Sequence, residues 1–189
     1  CPLLRSPGSP RLCPEVVSIS EYVALRDEYT PRYGVRTIEY LPEKGFLLNG
    51  VPRKFKGVCL HHDLGPLGAA VNKAALRRQL LIMKEMGCDA IRTAHNIPAP
   101  WQMELCDEIG LMVMAESFDE WAIAKCKNGY NLFFDEWAEK DLVNLIRCHR
   151  NHPSIVMWSI GNEVNEQSRT GGGKVAKFLQ DICHREDPT

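Results

Sequence analysis

At 189 residues, the chain is long enough for one ordinary domain with a sizeable core. Its 23 basic and 24 acidic side chains leave a net charge of −1, which provides no basic footprint for nucleic acid. No apolar run is long enough to span a bilayer, so the expected partner is a neutral or small polar ligand, with neither nucleic acid nor membrane. The cysteines, Cys1, Cys13, Cys59, Cys88, Cys106, Cys126, Cys148 and Cys183, are scattered without a Cys-x-x-Cys pair and several fall inside apolar patterns. That points to reduced, buried thiols instead of a zinc site or a disulfide framework. The chain starts at Cys1, so a signal peptide removed from a longer product would leave no trace, and the cytoplasm is only the default compartment.

Residues 1–14 hold Pro2, Pro7, Gly8, Pro10 and Pro14 with little periodicity and read as an irregular lead-in. From Val16 to Tyr40, β-branched and aromatic residues come in short runs: Val16, Val17 and Ile19, then Tyr33, Val35, Thr37, Ile38 and Tyr40, broken by Pro31 and Gly34. Strand and helix patterns then alternate four times, the signature of a parallel sheet wrapped by helices. Strands are expected at about 55–60, 89–94, 111–115 and 155–161. Between the first three, Leu76, Leu80 and Met83 stand at helical spacing before Gly87, and Trp101, Leu105 and Ile109 repeat the pattern before Gly110. Ala138, Leu142 and Leu145 mark a third helix, and Val175, Phe178, Leu179 and Ile182 a fourth. These stripes read as core packing. Gly171-Gly172-Gly173 opens the fourth helix without the Lys-Ser/Thr or the spacing of a phosphate loop, so no nucleotide site is expected.

The apolar run from Ser154 to Gly161 ends abruptly in Asn162-Glu163. A buried parallel strand reads as such a run, and in an α/β barrel the residues at its C-terminal end face the active site. Taken alone, the pair is equally consistent with a carboxylate that caps the next loop. It does not stand alone. Gly45-Phe46-Leu47-Leu48-Asn49-Gly50, Lys56-Gly57-Val58-Cys59-Leu60-His61-His62-Asp63, Ile91-Arg92-Thr93-Ala94-His95-Asn96 and Asn151-His152-Pro153-Ser154 precede it. In this order and spacing the motifs resemble glycoside hydrolase family 2, the β-galactosidases, β-glucuronidases and β-mannosidases, over roughly residues 30–189.

The resemblance implies an α/β fold, the N-terminal half of a TIM (β/α)8 barrel over residues 41–189. Residues 1–40 would then be the irregular lead-in and the remnant of an immunoglobulin-like β-sandwich. A whole barrel usually needs about 250 residues, so the second half is expected outside this chain, with Asp187-Pro188-Thr189 falling where another strand would be due. Exposed sheet edges would favour homo-oligomers.

The implied function is hydrolysis of terminal β-glycosidic bonds with retention, most like a β-galactosidase, on a carbohydrate substrate and without a cofactor. Retaining enzymes use two carboxyl groups about 5–5.5 Å apart. Glu163 would be the acid/base, a role in which burial and a neighbouring carboxylate keep an acid protonated. Asn162 would hydrogen-bond the sugar 2-hydroxyl, with Gly161 leaving room for close backbone approach. His61 and His95, after the first and second strands, would donate to ring hydroxyls or to the leaving group, with Asp63 and Asn96 beside them. The family's nucleophile is a later glutamate, beyond Thr189. Glu116, near Asp119 and Glu120, is the alternative within the chain, although support of the acid/base residue fits it better. Arg92 is expected to pair with a buried carboxylate. Some β-galactosidases of the family hold magnesium through a glutamate at the position of Glu120 and a histidine two residues on; Ala122 stands there, so no metal is expected. The competing reading is a non-catalytic carbohydrate-binding or complementation fragment, which a second well-placed carboxylate would exclude.

Overall fold

The computed structural model describes residues 4–189, so Cys1 and Pro2 of the expected lead-in lie outside the described residues. Two short strands, β1 (Cys13–Pro14) and β4 (Arg32–Tyr33), pair antiparallel around a hairpin of β2 (Val17–Glu21) and β3 (Ala24–Tyr29). Every residue of that hairpin is exposed, with Tyr22 and Val23 at its tip almost wholly in solvent. Three further antiparallel strands follow, β5 (Ile38–Leu41), β6 (Gly45–Leu48) and β7 (Val51–Pro52). The β6–β7 turn is Asn49-Gly50, with φ of 55° and 74°. Both residues take the left-handed backbone that a two-residue hairpin of the right twist requires, which asparagine and glycine tolerate best. β5 runs across residue 40, so the expected boundary between sandwich remnant and barrel falls inside a paired strand.

The main sheet is β8 (Gly57–Leu60), β9 (Ala90–Thr93), β10 (Met112–Glu116) and β11 (Ile155–Ser159), parallel and in sequence order. Helices α1 (Lys73–Glu85), α2 (Pro100–Ile109) and α3 (Phe134–His149) cross between successive strands, and α4 (Gly172–Glu186) follows the last. These are four consecutive β-α units. Asn72 caps α1 by accepting from the Ala75 amide at 3.0 Å. Pro100 opens α2 and Gly110, at φ 82°, closes it, where a Cβ would also press on the Pro7 carbonyl at 2.7 Å.

The apolar stripes fill two clusters. Leu76, Leu80, Met103, Leu105 and Cys106 pack under the sheet through Ile91, Leu111 and Val113, while Ala138, Leu142, Leu145, Leu179 and Ile182 join α3 to α4. Trp101 and Phe178 depart from the core assignment, each being 44% exposed. Trp101 sits in the first turn of α2, off its buried face, with the Lys73 ammonium 5.9 Å from its ring centre. The thiols also differ from expectation. Cys13 is disulfide-bonded, and of the free ones Cys88, Cys106 and Cys183 are buried but Cys59, Cys126 and Cys148 are exposed.

The β5–β7 sheet closes the N-terminal end of the barrel strands. Phe46 and Leu48 pack on Ala90, Met112 and Val156, which lie at strand starts. Arg36 donates to the Pro153 carbonyl at 2.8 Å, Tyr40 to that of Val156 at 2.5 Å, and Arg5 to those of Cys106 and Asp107. That end is therefore a packed floor, and the C-terminal end is left for chemistry.

Near this floor, at the end of α3, His149 is buried with no partner for Nδ1. Burial first, then the neighbouring His152, pushes its pKa down to about 4 from 6.5, against a backbone bond with Pro98 and the charge of Asp107. The unfolded chain thus binds the extra proton more readily. The stability this contributes is present above about pH 6.5 and is lost as pH falls towards about 4. Urea unfolding of the chain and of His149→Asn at pH 7 and 4.5 checks this. The variant should lose measurably less stability on acidification, and an identical loss would contradict the assignment.

Candidate active site

The C-terminal end of the sheet is organised around Glu116, the last residue of β10, whose side chain has no solvent exposure. Its Oε2 receives Arg92 through Nε at 2.7 Å and Nη2 at 2.6 Å, and the Ser159 hydroxyl at 2.6 Å. Its Oε1 lies 2.7 Å from His95 Nδ1. Its backbone N–H donates to the Thr93 hydroxyl. Arg92 and Thr93 end β9 and Ser159 ends β11, so one carboxylate ties three strands together where they open. The expected pairing of Arg92 with a buried carboxylate is what the structure shows. Glu116 is correspondingly unfit as a nucleophile, since both oxygens are engaged and neither is open to substrate.

Arg92 has a second task, since its Nη2 donates to Asn162 Oδ1 at 3.0 Å. Asn162 Nδ2 in turn donates to Asp119 Oδ1 at 3.1 Å. A guanidinium only donates and a carboxylate only accepts, so the amide orientation is fixed by its partners, and Nδ2 keeps one N–H for a ligand. The loop carrying Asn162 is fastened to the loop after β10 at several more points. Trp121 Nε1 donates to the Ile160 carbonyl at 2.6 Å, the Ile123 amide to Glu166 Oε1 at 2.8 Å, and Asn165 Nδ2 to the Ala124 carbonyl at 3.2 Å. Lys125 Nζ reaches both the Asn162 carbonyl, at 2.6 Å, and Asp119 Oδ1, at 3.0 Å. The close approach at Gly161 is made by the Trp121 indole, because a Cβ there would stand 2.7 Å from Nε1. Burial alone would raise the Asp119 carboxyl, but the bonds from Lys125 and Asn162 outweigh it and hold it below the usual carboxylate range.

Glu120 is buried and spends both oxygens on backbone, Oε2 on the Lys125 amide at 2.5 Å and Oε1 on the Asn131 amide at 2.9 Å. It therefore shapes its loop, and Ala122 adds no donor beside it. Among the described residues no three His, Cys, Asp or Glu side chains gather as a metal site.

A depression of about 550 Å³ opens beside this network, lined by His61, His95, Asn96, Phe118, Asp119 and Tyr130 among others. His61 and His95 meet edge to face with ring centres 4.9 Å apart. Since Glu116 only accepts, His95 Nδ1 must donate to it, which leaves Nε2 an acceptor in the neutral ring. A neutral His95 would therefore accept from a sugar hydroxyl through Nε2, whereas a protonated ring would make the expected donation. Asn96 borders the depression and is exposed. Asp63 is not brought there. Its Oδ1 accepts from the Gly65 amide at 2.7 Å, and it borders a separate hollow against α1.

β11 stops at Ser159, two residues short of the expected end, so Glu163 stands on the loop beyond the strand, at the same C-terminal end of the sheet as His61 and His95. Its backbone is left-handed, at φ 42°, and its side chain is exposed. The burial expected around this acid is therefore not supplied by these four units. The residues that sequence reasoning missed are Lys125 and Trp121, which act from the loop after β10, and Glu166, which acts from a short 3-10 helix at Asn165–Ser168; the acidic cluster near Asp119 was the only signal.

The chain from residue 40 to 189 matches the family model for the TIM barrel domain of glycosyl hydrolases family 2. A β-galactosidase of Bacteroides ovatus is 49% identical over 166 residues, 88% of this chain and 20% of that protein. A β-glucuronidase of Bacteroides fragilis is 35% identical over 86% of this chain and 24% of its own length. Among solved structures, a β-glycosidase from Bacteroides vulgatus superposes with a TM-score of 0.91 at 43% identity, covering 99% of this chain and 24% of that one. The chain thus spans about a fifth to a quarter of the length of these relatives.

The Arg92–Glu116 pair generates a stability prediction. Arg92→Met leaves the buried Glu116 carboxylate without its guanidinium partner and should cost about 3–5 kcal/mol in urea unfolding. Adding Glu116→Gln removes the stranded charge, so the double variant should be more stable than Arg92→Met alone. Simple addition of two losses would contradict the pairing.

Proposed function

Since the chain belongs to glycosyl hydrolase family 2 and carries four β-α units of its TIM barrel, we propose that it supplies the acid/base half of a retaining β-glycosidase site. The observation that carries this reading is Asn162-Glu163, held above the open end of β11 with the asparagine amide fixed by Arg92 and Asp119. Glu163 would protonate the leaving glycosidic oxygen and then take a proton from water. Asn162 would direct its remaining N–H at the sugar 2-hydroxyl, and His95 Nε2 would accept from another hydroxyl. The nucleophile is assigned to sequence outside this chain, because Glu116, Glu120 and Asp119 are each committed to bonds within the protein.

A neutral glycoside of the β-galactoside type fits the depression better than an anionic one. Its lining includes Asp119, Glu120 and Asp141 and no lysine or arginine, and the Lys125 ammonium beside it is already paired with Asp119, a charge balance that disfavours a uronate carboxylate. The similarity to a β-galactosidase of Bacteroides ovatus supports the same choice.

The test is made in a polypeptide extended to the length of the relatives. Glu163→Gln should reduce turnover of substrates with poor leaving groups by on the order of 10²–10⁴ while sparing the first step for good ones. Azide should restore turnover of an activated aryl β-galactoside, because an anion needs no general base. Equal loss on all substrates without azide rescue would show that Glu163 is structural.

A further inference from the structure

Glu163, a non-glycine residue, has a left-handed backbone at φ 42°, and an unrestrained chain relaxes out of that region at a gain of about 1–2 kcal/mol. Whatever holds the peptide bond between Asn162 and Glu163 therefore aims the acid. The Asn162 side chain is held at both ends, but side-chain bonds leave the following peptide plane free to rotate. The carbonyl of that same peptide accepts from the Lys125 ammonium at 2.6 Å. We propose that Lys125 is a positioning residue for Glu163, acting through the Asn162 carbonyl.

The ammonium is itself aimed. Asp119 holds it at 3.0 Å, and the Lys125 backbone N–H is anchored on the buried carboxylate of Glu120. A charge-assisted donor is roughly twice as strong as a neutral one, and this one is three-quarters shielded, at 22% side-chain exposure. Trp121 and Glu166 tie the two loops together independently, so loss of Lys125 should release one peptide and leave the loops docked. The catalytic importance of this role rests on reading Glu163 as the acid/base residue; the positioning itself does not.

The test compares Lys125→Met, which keeps length and removes the donor, with Lys125→Arg, which keeps a cation. In the isotope-labelled chain, Lys125→Met should shift the Asn162 carbonyl carbon and move the Glu163 HN–Hα coupling towards an averaged backbone. Lys125→Arg should stay near the parent, and the Val113 and Ile155 amides should be unchanged in both. In a polypeptide of the relatives' length, Lys125→Met should lower kcat on the order of 10-fold or more at nearly constant KM, with recovery in Lys125→Arg. An unmoved Asn162 carbonyl and Glu163 coupling in Lys125→Met would overturn the proposal. So would a raised KM at constant kcat, which would make Lys125 a substrate contact. If the Glu163 backbone moves but Glu163→Gln leaves hydrolysis intact, the positioning stands and the acid/base reading falls.

Discussion

A carboxylate without solvent exposure must be compensated inside the protein, and the open end of this sheet is built around that requirement. Glu116 is the carboxylate, and its compensators are Arg92, His95 and Ser159 from the neighbouring strands. Each of them then takes an orientation it would not otherwise hold. His95 is committed to one tautomer, and Arg92 has its remaining donor placed to grip Asn162. Replacing the cluster with apolar groups of the same volume would cost little in stability, since buried ion pairs often only break even. What such a replacement would lose is the geometry, because hydrogen bonds of fixed direction locate the mouth relative to rigid strands.

The two ends of the sheet divide the work by chemistry. At the floor, Phe46 and Leu48 bury apolar surface while Arg5, Arg36 and Tyr40 satisfy carbonyls that the strand starts and α2 leave open. At the mouth, the loops after β10 and β11 bury Phe118, Trp121 and Val164 against α3 and α4 and are joined to each other by directed polar bonds. The exposure of Glu163 belongs to this division. In the proposed acid/base role the carboxyl would need desolvation to hold a proton, and these four units leave it exposed.

Much of this was legible from residue order. The helix stripes led to α1 through α4 because the 3.6-residue period and the terminal glycines agreed, and the parallel strands appeared as apolar runs bounded by polar residues. The β6–β7 hairpin was missed although Asn49-Gly50 between apolar runs is a strong turn signal. β3, with the sequence Ala-Leu-Arg-Asp-Glu-Tyr, carries no such signal, and only pairing with β2 makes it a strand. In the site, the strand-end residues could be located since their position follows from the strands. Asp63 was misplaced because one residue of loop geometry turns it into a local turn acceptor. The roles of Lys125 and Glu166 follow from contacts between two loops more than thirty-five residues apart, for which no local pattern exists.

The central claim is that one half of a two-carboxylate site is held here, so the purified chain itself offers the most direct test. It should show no turnover of aryl β-galactoside or aryl β-glucuronide, since a single acid can donate a proton but cannot form and release a glycosyl intermediate. Glu163→Ala and Glu116→Ala variants assayed alongside provide the control. Turnover above background that disappears in both variants would contradict the account, and would make Glu116 the nucleophile in spite of its buried bonds to Arg92 and His95.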